Sequence, residues 1–261
     1  MNFPEDKLFK IFSKLISRVV DPIYFKKLKK QRYLIKNAIL INVNNDSPRF
    51  IKERTIPKCK YKSPMYQAFH ESILKYMNIQ KFNDSFNNYN KSIIYPESFN
   101  ESNNYTKFVT IQNRLPYPKT RKQQQRILEN GKELLEALSR KLDPNILVRL
   151  VDTAQLPIET QISLIQKTDY FIWLHGAGGS LSMFLKEGAI NHEVYHKYYN
   201  MRVNLVAALN GRKTYQSKIK YRIKRRKNEI IYLDNKSFCN SILQNMNESR
   251  FFLNDNAYNN F

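Results

Sequence analysis

Glycine is scarce in this chain and concentrated at one place. Of six glycines in 261 residues, Gly176, Gly178 and Gly179 fall in the turn His175-Gly-Ala-Gly-Gly179, and Gly188 follows closely. Glycine admits positive φ and lets another group approach the main chain, so this clustering needs a backbone reason. The turn follows Asp169 to Leu174 (DYFIWL), a continuous apolar run short enough for a strand buried on both faces. After it, residues 180 to 186 read as a helix. Strand, glycine turn and helix start, in that order, put free N–H groups and the positive end of a helix dipole at the carboxyl end of a parallel sheet. Phosphates bind in that environment.

The sequence around the turn alternates strands with helices. Phe108 to Gln112 (FVTIQ) reads as a strand. Arg126 to Leu142 reads as a helix with Ile127, Leu134, Leu135 and Leu138 on its apolar side, stopped by Asp143-Pro144. Ile146 to Val151 (ILVRLV) reads as a strand, and Pro157 to Gln166 as a short helix with Pro157 in the first turn. Ala189 to Val194 reads as a further strand and Val203 to Leu209 as a further helix. The pattern predicts the α/β class, a Rossmann-like parallel sheet with helices on both faces, over a domain at 106–215.

The flanks read differently. Residues 1–79 form a partial, mostly helical N-terminal domain. One helix covers 6–19 and ends at Asp21-Pro22. A second covers Pro64 to Met77, with Tyr66, Phe69, Ile73, Leu74 and Met77 on one face and His70 as an ordinary helix residue. Residues 80–105, rich in Asn, Ser and Tyr, read as a low-complexity surface insertion. Their glycosylation sequons at Asn83, Asn90, Asn100 and Asn104 carry little weight in so Asn-rich a chain. Residues 216–261 open on the basic run Gln216 to Lys227, read as a solvated face or tail. A strand at Ile231 to Leu233 and a helix at Phe238 to Leu243 follow.

The net charge is +22, which suits a polyanionic partner. Lys, Asn, Ile, Tyr and Phe are abundant together, however, as AT-rich coding would make them, so a nucleic-acid partner is the minority reading. Cys59 and Cys239 form no zinc pattern, no metal site is expected, and a disulfide between them is left open. No run of 18 apolar residues exists to span a membrane, and the N-terminus lacks a normal signal peptide. Leu8 to Val20 has helical apolar spacing suited to a membrane surface, although packing on the domain is favoured.

Known phosphate loops do not fit the turn. Gly179 is followed by Ser180-Leu181 where a Walker loop needs Lys and then Ser or Thr, and Leu181 stands where a dinucleotide fingerprint needs glycine. The hydrolase elbow G-x-S-x-G is absent as well. His175, at a strand end, is placed to hydrogen-bond a phosphate or a sugar hydroxyl, or else to pack beneath the loop.

The stretch from Val109 to Val194 nevertheless resembles glycosyltransferase family 61. The resemblance rests on Val109-Thr-Ile-Gln-Asn-Arg114, Arg126-Ile-Leu-Glu-Asn130 with Glu133-Leu134-Leu135, Val151-Asp152, and Leu156-Pro-Ile-Glu-Thr-Gln161-Ile162. It continues through Asp169 to Gly178, Phe184-Leu185, Gly188-Ala189 and Glu193. The chain departs from the family pattern at Gly179, where Leu or Met is usual, and at Trp173-Leu174, where glycine and proline or a similar pair is common. No counterpart is found of the family's N-terminal Asn-x-x-His-Trp/Phe segment, so the resemblance assigns no catalytic base.

The resemblance implies the C-terminal half of a GT-B glycosyltransferase with an incomplete N-terminal domain. The chain reads as short for a complete enzyme of that kind. It implies inverting transfer from a nucleotide sugar, often a UDP sugar, to a protein or glycan hydroxyl in the ER or Golgi lumen. No cofactor is implied beyond the donor itself. A metal-independent transferase must offset the charge of the departing diphosphate with cations and aimed N–H groups. The candidate donor-binding residues are Arg114, Arg126, His175, Gly176, Ala177, Gly178, Gly179, Ser180 and Glu193, with Arg121 as an alternative to Arg126. The arginines would hold phosphate bidentately, the 176–180 backbone would supply N–H groups, and Glu193 would hold ribose hydroxyls. Two alternatives stand beside this reading: a catalytically inactive homologue, and a basic nucleic-acid-binding protein acting through Lys213 to Lys227.

Overall fold

The computed structural model describes residues 64–79, 92–113, 125–195, 212–219, 221–225, 228–249 and 251. The chain divides into two compact units, Met1–Lys58 and Cys59–Phe261, and the described residues belong to the second. The expected helices at 6–19 and Val203 to Leu209 lie outside them, as do Cys59, Arg114 and Arg121.

A six-stranded sheet organises the unit, in the order β1-β4-β2-β5-β6-β7. Its strands are β1 (Ile93–Ile94), β2 (Lys107–Asn113), β4 (Ile146–Asp152), β5 (Tyr170–Leu174), β6 (Ile190–Tyr195) and β7 (Lys213–Lys218). All neighbours pair in parallel except β1, which runs antiparallel to β4. Taken in chain order, the five parallel strands are arranged 2-1-3-4-5, a common doubly wound order. The order reverses between β2 and β5, and ligands of such sheets bind in the crevice beyond the carboxyl ends at that point. Here those ends are Asn113 and Leu174-His175.

The two faces of the sheet differ in chemistry. On one, Val109, Ile111, Val148, Leu150, Tyr170, Ile172, Leu174 and Val194 join an apolar core with Leu134, Leu135 and Leu138 of α2 (Gly131–Ser139) and Phe238, Ile242 and Met246 of α4 (Asn235–Glu248). The other face is equally buried and mixes apolar side chains (Leu147, Val151, Phe171, Trp173) with buried polar ones. Arg149, 1% exposed, donates from Nε to Thr110 Oγ1 at 3.0 Å and from Nη2 to Leu164 O at 2.9 Å and Thr168 Oγ1 at 3.2 Å. Leu164 belongs to α3 (Ile158–Gln166), so the guanidinium ties helix to sheet. On α1 (Pro64–Tyr76), His70 bonds Gln166 Nε2 at 2.9 Å and lies 6.1 Å from the Phe184 ring, so it is a packing residue. Burial and the Arg212 charge lower its pKa to about 4.

Several strands follow directly from sequence. Asp169 explains how β5 is placed: its N–H donates to Phe108 O at 2.8 Å, its Oδ2 accepts from Phe108 N at 2.9 Å, and its Oδ1 pairs with Lys186 at 2.6 Å.

Four expectations require correction. The helix expected over Arg126 to Leu142 is a strand, β3 (Gln125–Leu128), followed by the shorter α2. Asn130-Gly131 separates them: Gly131 sits so close to Asn113 and Leu150 that a Cβ there would meet them at 3.0 and 3.2 Å. The segment after the glycine turn is a 3-10 helix (Ala177–Phe184), not an α-helix. Of the two readings of the basic run, the tail is corrected: its first residues, Gln216 to Lys218, complete β7, paired with β6 from Lys213↔Ile190 to Lys218↔Tyr195, while Gln216 and Lys218 stay exposed as on a solvated face. Its next residues form β8 (Tyr221–Arg225), which joins β9 (Asn228–Tyr232) and β3 in a second sheet of order β3-β9-β8. The Asn-rich segment is not wholly superficial, since Ile93, 2% exposed, pairs with Val151 in the main sheet.

Candidate functional site

The site lies where β2, β5, β6 and β7 end. His175 extends the β5 ladder by one bond, its N–H donating to Val194 O at 2.8 Å. Gly176 then takes φ 155° and ψ −173°, a conformation open essentially to glycine alone, and the chain turns into the 3-10 helix. The other glycines of the turn answer to close packing. A Cβ on Gly178 would meet the Gln112 amide at 2.5 Å, and one on Gly179 would overlap the Trp173 ring. Trp173 is fully buried, with Nε1 donating to Asn191 Oδ1 at 2.7 Å. Gln112 is fixed by donating to Thr153 Oγ1 at 2.6 Å. The turn thus rests on two large side chains. The Gly179 amide is already bonded to Gly176 O at 3.0 Å. Any anion the turn holds therefore meets the first amides, at Ala177 and Gly178, since the first N–H groups of a helix lack intrahelical acceptors. Ser180 is exposed.

Cation and carboxylate reach the turn from different sheets. Arg126 of β3 donates from Nη1 to His175 O at 2.5 Å. Asn113 holds β3 against the end of β2: its Nδ2 donates to Leu128 O and its Oδ1 accepts from Leu128 N, both at 3.1 Å. Glu193 of β6 is fully buried. Its Oε1 lies 2.5 Å from His175 Nδ1, and its Oε2 accepts from Gln216 Nε2 of β7 at 3.0 Å. The side chain of His175 is 17% exposed and stacks over Trp173 at 6.4 Å between centroids.

Of the sequence candidates, Arg126, His175, the 176–180 turn and Glu193 come together, and Arg114 and Arg121 lie outside the described residues. Glu193 faces inward, toward His175 and Gln216. Sequence reasoning missed Gln216. The only signal for it is strand register, which sets Trp173, Glu193 and Gln216 side by side.

The same face carries His175, Tyr195 and Lys218 in the next row, and Lys218 and Gln216 also line a cavity of about 290 Å³ with Tyr232, Asp234 and Ser237. Among the described residues no group of three or more His, Cys, Asp or Glu is arranged to hold a metal ion, and no helix is long and apolar enough to cross a membrane.

Comparison with known proteins adds one finding. The family described as Glycosyltransferase 61 matches residues 11–191, including the segment ahead of Val109 where sequence reading found no family counterpart. No curated protein matches the chain significantly.

Proposed function

We propose that this chain, which belongs to glycosyltransferase family 61, moves a sugar from a nucleotide-sugar donor of the UDP class to a hydroxyl of a protein or glycan, with inversion at the anomeric carbon. Membership carries the reaction class. The single observation that supports a donor site here is the convergence of Arg126 on the His175–Gly176 turn, at the reversal point of a doubly wound sheet.

Bond cleavage at the anomeric carbon leaves its electron pair on a diphosphate oxygen. Stabilisation of that charge by preorganised donors is a large term in such reactions. In this reading the amides of Ala177 and Gly178 and the Arg126 guanidinium receive the diphosphate, and Arg114, one residue past β2, adds a second cation. The turn is rigid because Trp173 and Gln112 fill the space beneath it, so little reorganisation accompanies charge development. The proposed setting is the secretory lumen, where the exposed sequons at Asn100 and Asn104 would be accessible to modification.

The test is thermal unfolding with UDP and a panel of nucleotides. UDP at a hundred times its Kd should stabilise the protein by about 2.7 kcal/mol. Arg126→Ala should weaken UDP binding roughly tenfold or more, as loss of a charged hydrogen bond does. No stabilisation by any uracil nucleotide would remove the donor-site assignment.

A further inference from the structure

We infer that the cavity where β7, β9 and α4 meet binds one neutral sugar ring of a glycan acceptor; its role as an acceptor site rests on the donor-site reading above. Among the described residues the lining comes from the carboxyl end of β7 (Gln216 to Lys218), from Tyr232 to Asp234, and from the first two turns of α4 at Ser237 and Ser241. The cavity is within reach of the donor. β7 lies two strands from β5, across β6, which is about 10 Å at the usual strand spacing. In the donor reading that gap holds the sugar in transit. Gln216 joins the two places, since it lines the cavity and its Nε2 donates to Glu193 Oε2 at 3.0 Å. All the lining residues lie beyond residue 191, where the match to the family ends, whereas Arg126 and the glycine turn lie inside it. Donor chemistry belongs to the shared part, so a cavity built outside it suits the other substrate. Its size points the same way. The volume is about 290 Å³, the room of about ten waters. One pyranose ring with its hydroxyls fills that space, whereas a nucleoside brings a base and a ribose together.

The lining also matches a sugar in kind. Tyr232 is 46% exposed, and the negative face of an aromatic ring attracts the C–H bonds of a sugar. Asp234 supplies a carboxylate, which accepts several hydrogen bonds at once; its Oδ1 takes one from Ser237 N at 2.7 Å. Ser217 supplies a donor, and the network behind it sets the direction. Asn245 Nδ2 donates to Tyr170 Oη at 3.4 Å, which turns the tyrosine's own proton toward His192 Nδ1 at 2.7 Å. Nδ1 is then an acceptor, and Nε2 carries the ring hydrogen and donates it to Ser217 Oγ at 2.9 Å. The Ser217 O–H is left to donate in turn, at the wall of the cavity. A sugar hydroxyl both donates and accepts, as this lining requires. Lys218 and Asp234 offset each other's charge, which favours a neutral ring over an acidic or a basic one.

Saturation-transfer NMR with a panel of methyl glycosides of neutral hexoses and pentoses reads this directly, with UDP binding measured in parallel by calorimetry. Wild type should bind at least one glycoside with a Kd on the order of 1 mM, as expected for so small a ligand. Tyr232→Ala, at an exposed position, should weaken that binding about fivefold, through loss of the ring contact, and leave UDP binding unchanged. Ser241→Leu fills the cavity from α4 with a good helix former and should weaken the glycoside at least as much. It serves as the second variant should Tyr232→Ala fail to fold, judged by circular dichroism. No glycoside bound by wild type at millimolar concentrations, or binding untouched in both folded variants, overturns the proposal. Weakened UDP binding in either folded variant shows that the cavity takes the donor's nucleoside, and overturns it as well. If UDP does not bind wild type while glycoside binding remains sensitive to both substitutions, the donor reading falls and the acceptor role with it, and the sugar site stands.

Discussion

Gly179 and Trp173 show how one residue's freedom is set by another's bulk. The indole occupies the volume that a side chain at 179 would fill. The glycine is therefore required by the tryptophan, not by a ligand. Overpacking a rigid interior costs about 1–3 kcal/mol, so Gly179→Leu should destabilise by at least that much. Trp173→Ala should cost about 3–5 kcal/mol through the cavity it leaves and the lost bond to Asn191. The double variant should be more stable than the sum of the two single effects predicts, by about 0.5–3 kcal/mol, as expected of contacting residues. Urea unfolding of the four proteins measures this, and strict additivity would show that the two sites do not share one volume.

At the scale of elements, two asparagine amides mimic a strand edge: Asn113 fastens the second sheet to the first, and Asn130 ties the end of β3 to the end of β9 within the second sheet. Asn113 exchanges two hydrogen bonds with Leu128, and Asn130 does the same with Leu233, at 2.7 Å to its O and 3.2 Å from its N. Asn113→Leu leaves the buried Leu128 N–H and C=O without these partners, at about 1–3 kcal/mol for each unsatisfied group. Hydrogen exchange should then show the 125–128 amides losing protection before those of β5. Equal protection in wild type and variant would mean that the sheet is held by other contacts. The sequence reading quotes both asparagines within the family motifs but gives neither a structural role, and the reason is physical. Runs such as FVTIQ, ILVRLV and DYFIWL are legible because burial on both faces demands unbroken apolar stretches. In Arg126 to Leu142, by contrast, Ile127, Leu134 and Leu138 fit a helical period by coincidence across a strand and a separate helix. β7 was hidden because it is an edge strand with charged and polar residues at five of its six positions, Lys213, Thr214, Gln216, Ser217 and Lys218, as edge strands often are. The candidate site was legible as far as the glycine turn and His175, since local sequence encodes both. Which face Glu193 presents, and that Gln216 backs it, depends on pairing between strands distant in sequence.

For the whole molecule, the partition of charge makes folding sensitive to acid. The chain carries a net charge of +22 before any histidine protonates, so each added proton increases self-repulsion in the compact state. His192 is fully buried on the apolar face, with Nδ1 2.7 Å from Tyr170 Oη, Nε2 2.9 Å from Ser217 Oγ, and the Phe238 ring beside it. None of these groups carries charge at neutral pH, and burial lowers the pKa of His192 from 6.5 to about 3. His70 is lowered to about 4, with part of its ring open to solvent. Both rings are neutral in the folded protein and protonate near 6.5 once it unfolds. Below that value the unfolded chain binds more protons, so stability is fully present above pH 6.5 and is lost progressively as pH falls toward 4 and then 3. His192 accounts for several kcal/mol of that loss, at about 1.4 kcal/mol per pH unit in the steep region, and His70 for less because solvent screens it. Chemical denaturation between pH 7 and 4.5 should therefore show a falling unfolding free energy. His192→Gln, which keeps polar contacts to Tyr170 and Ser217 without a titrating ring, should lower stability at pH 7 yet flatten the slope. A slope unchanged in that variant would trace the acid sensitivity to other groups and show that His192 does not set the acid limit of this fold.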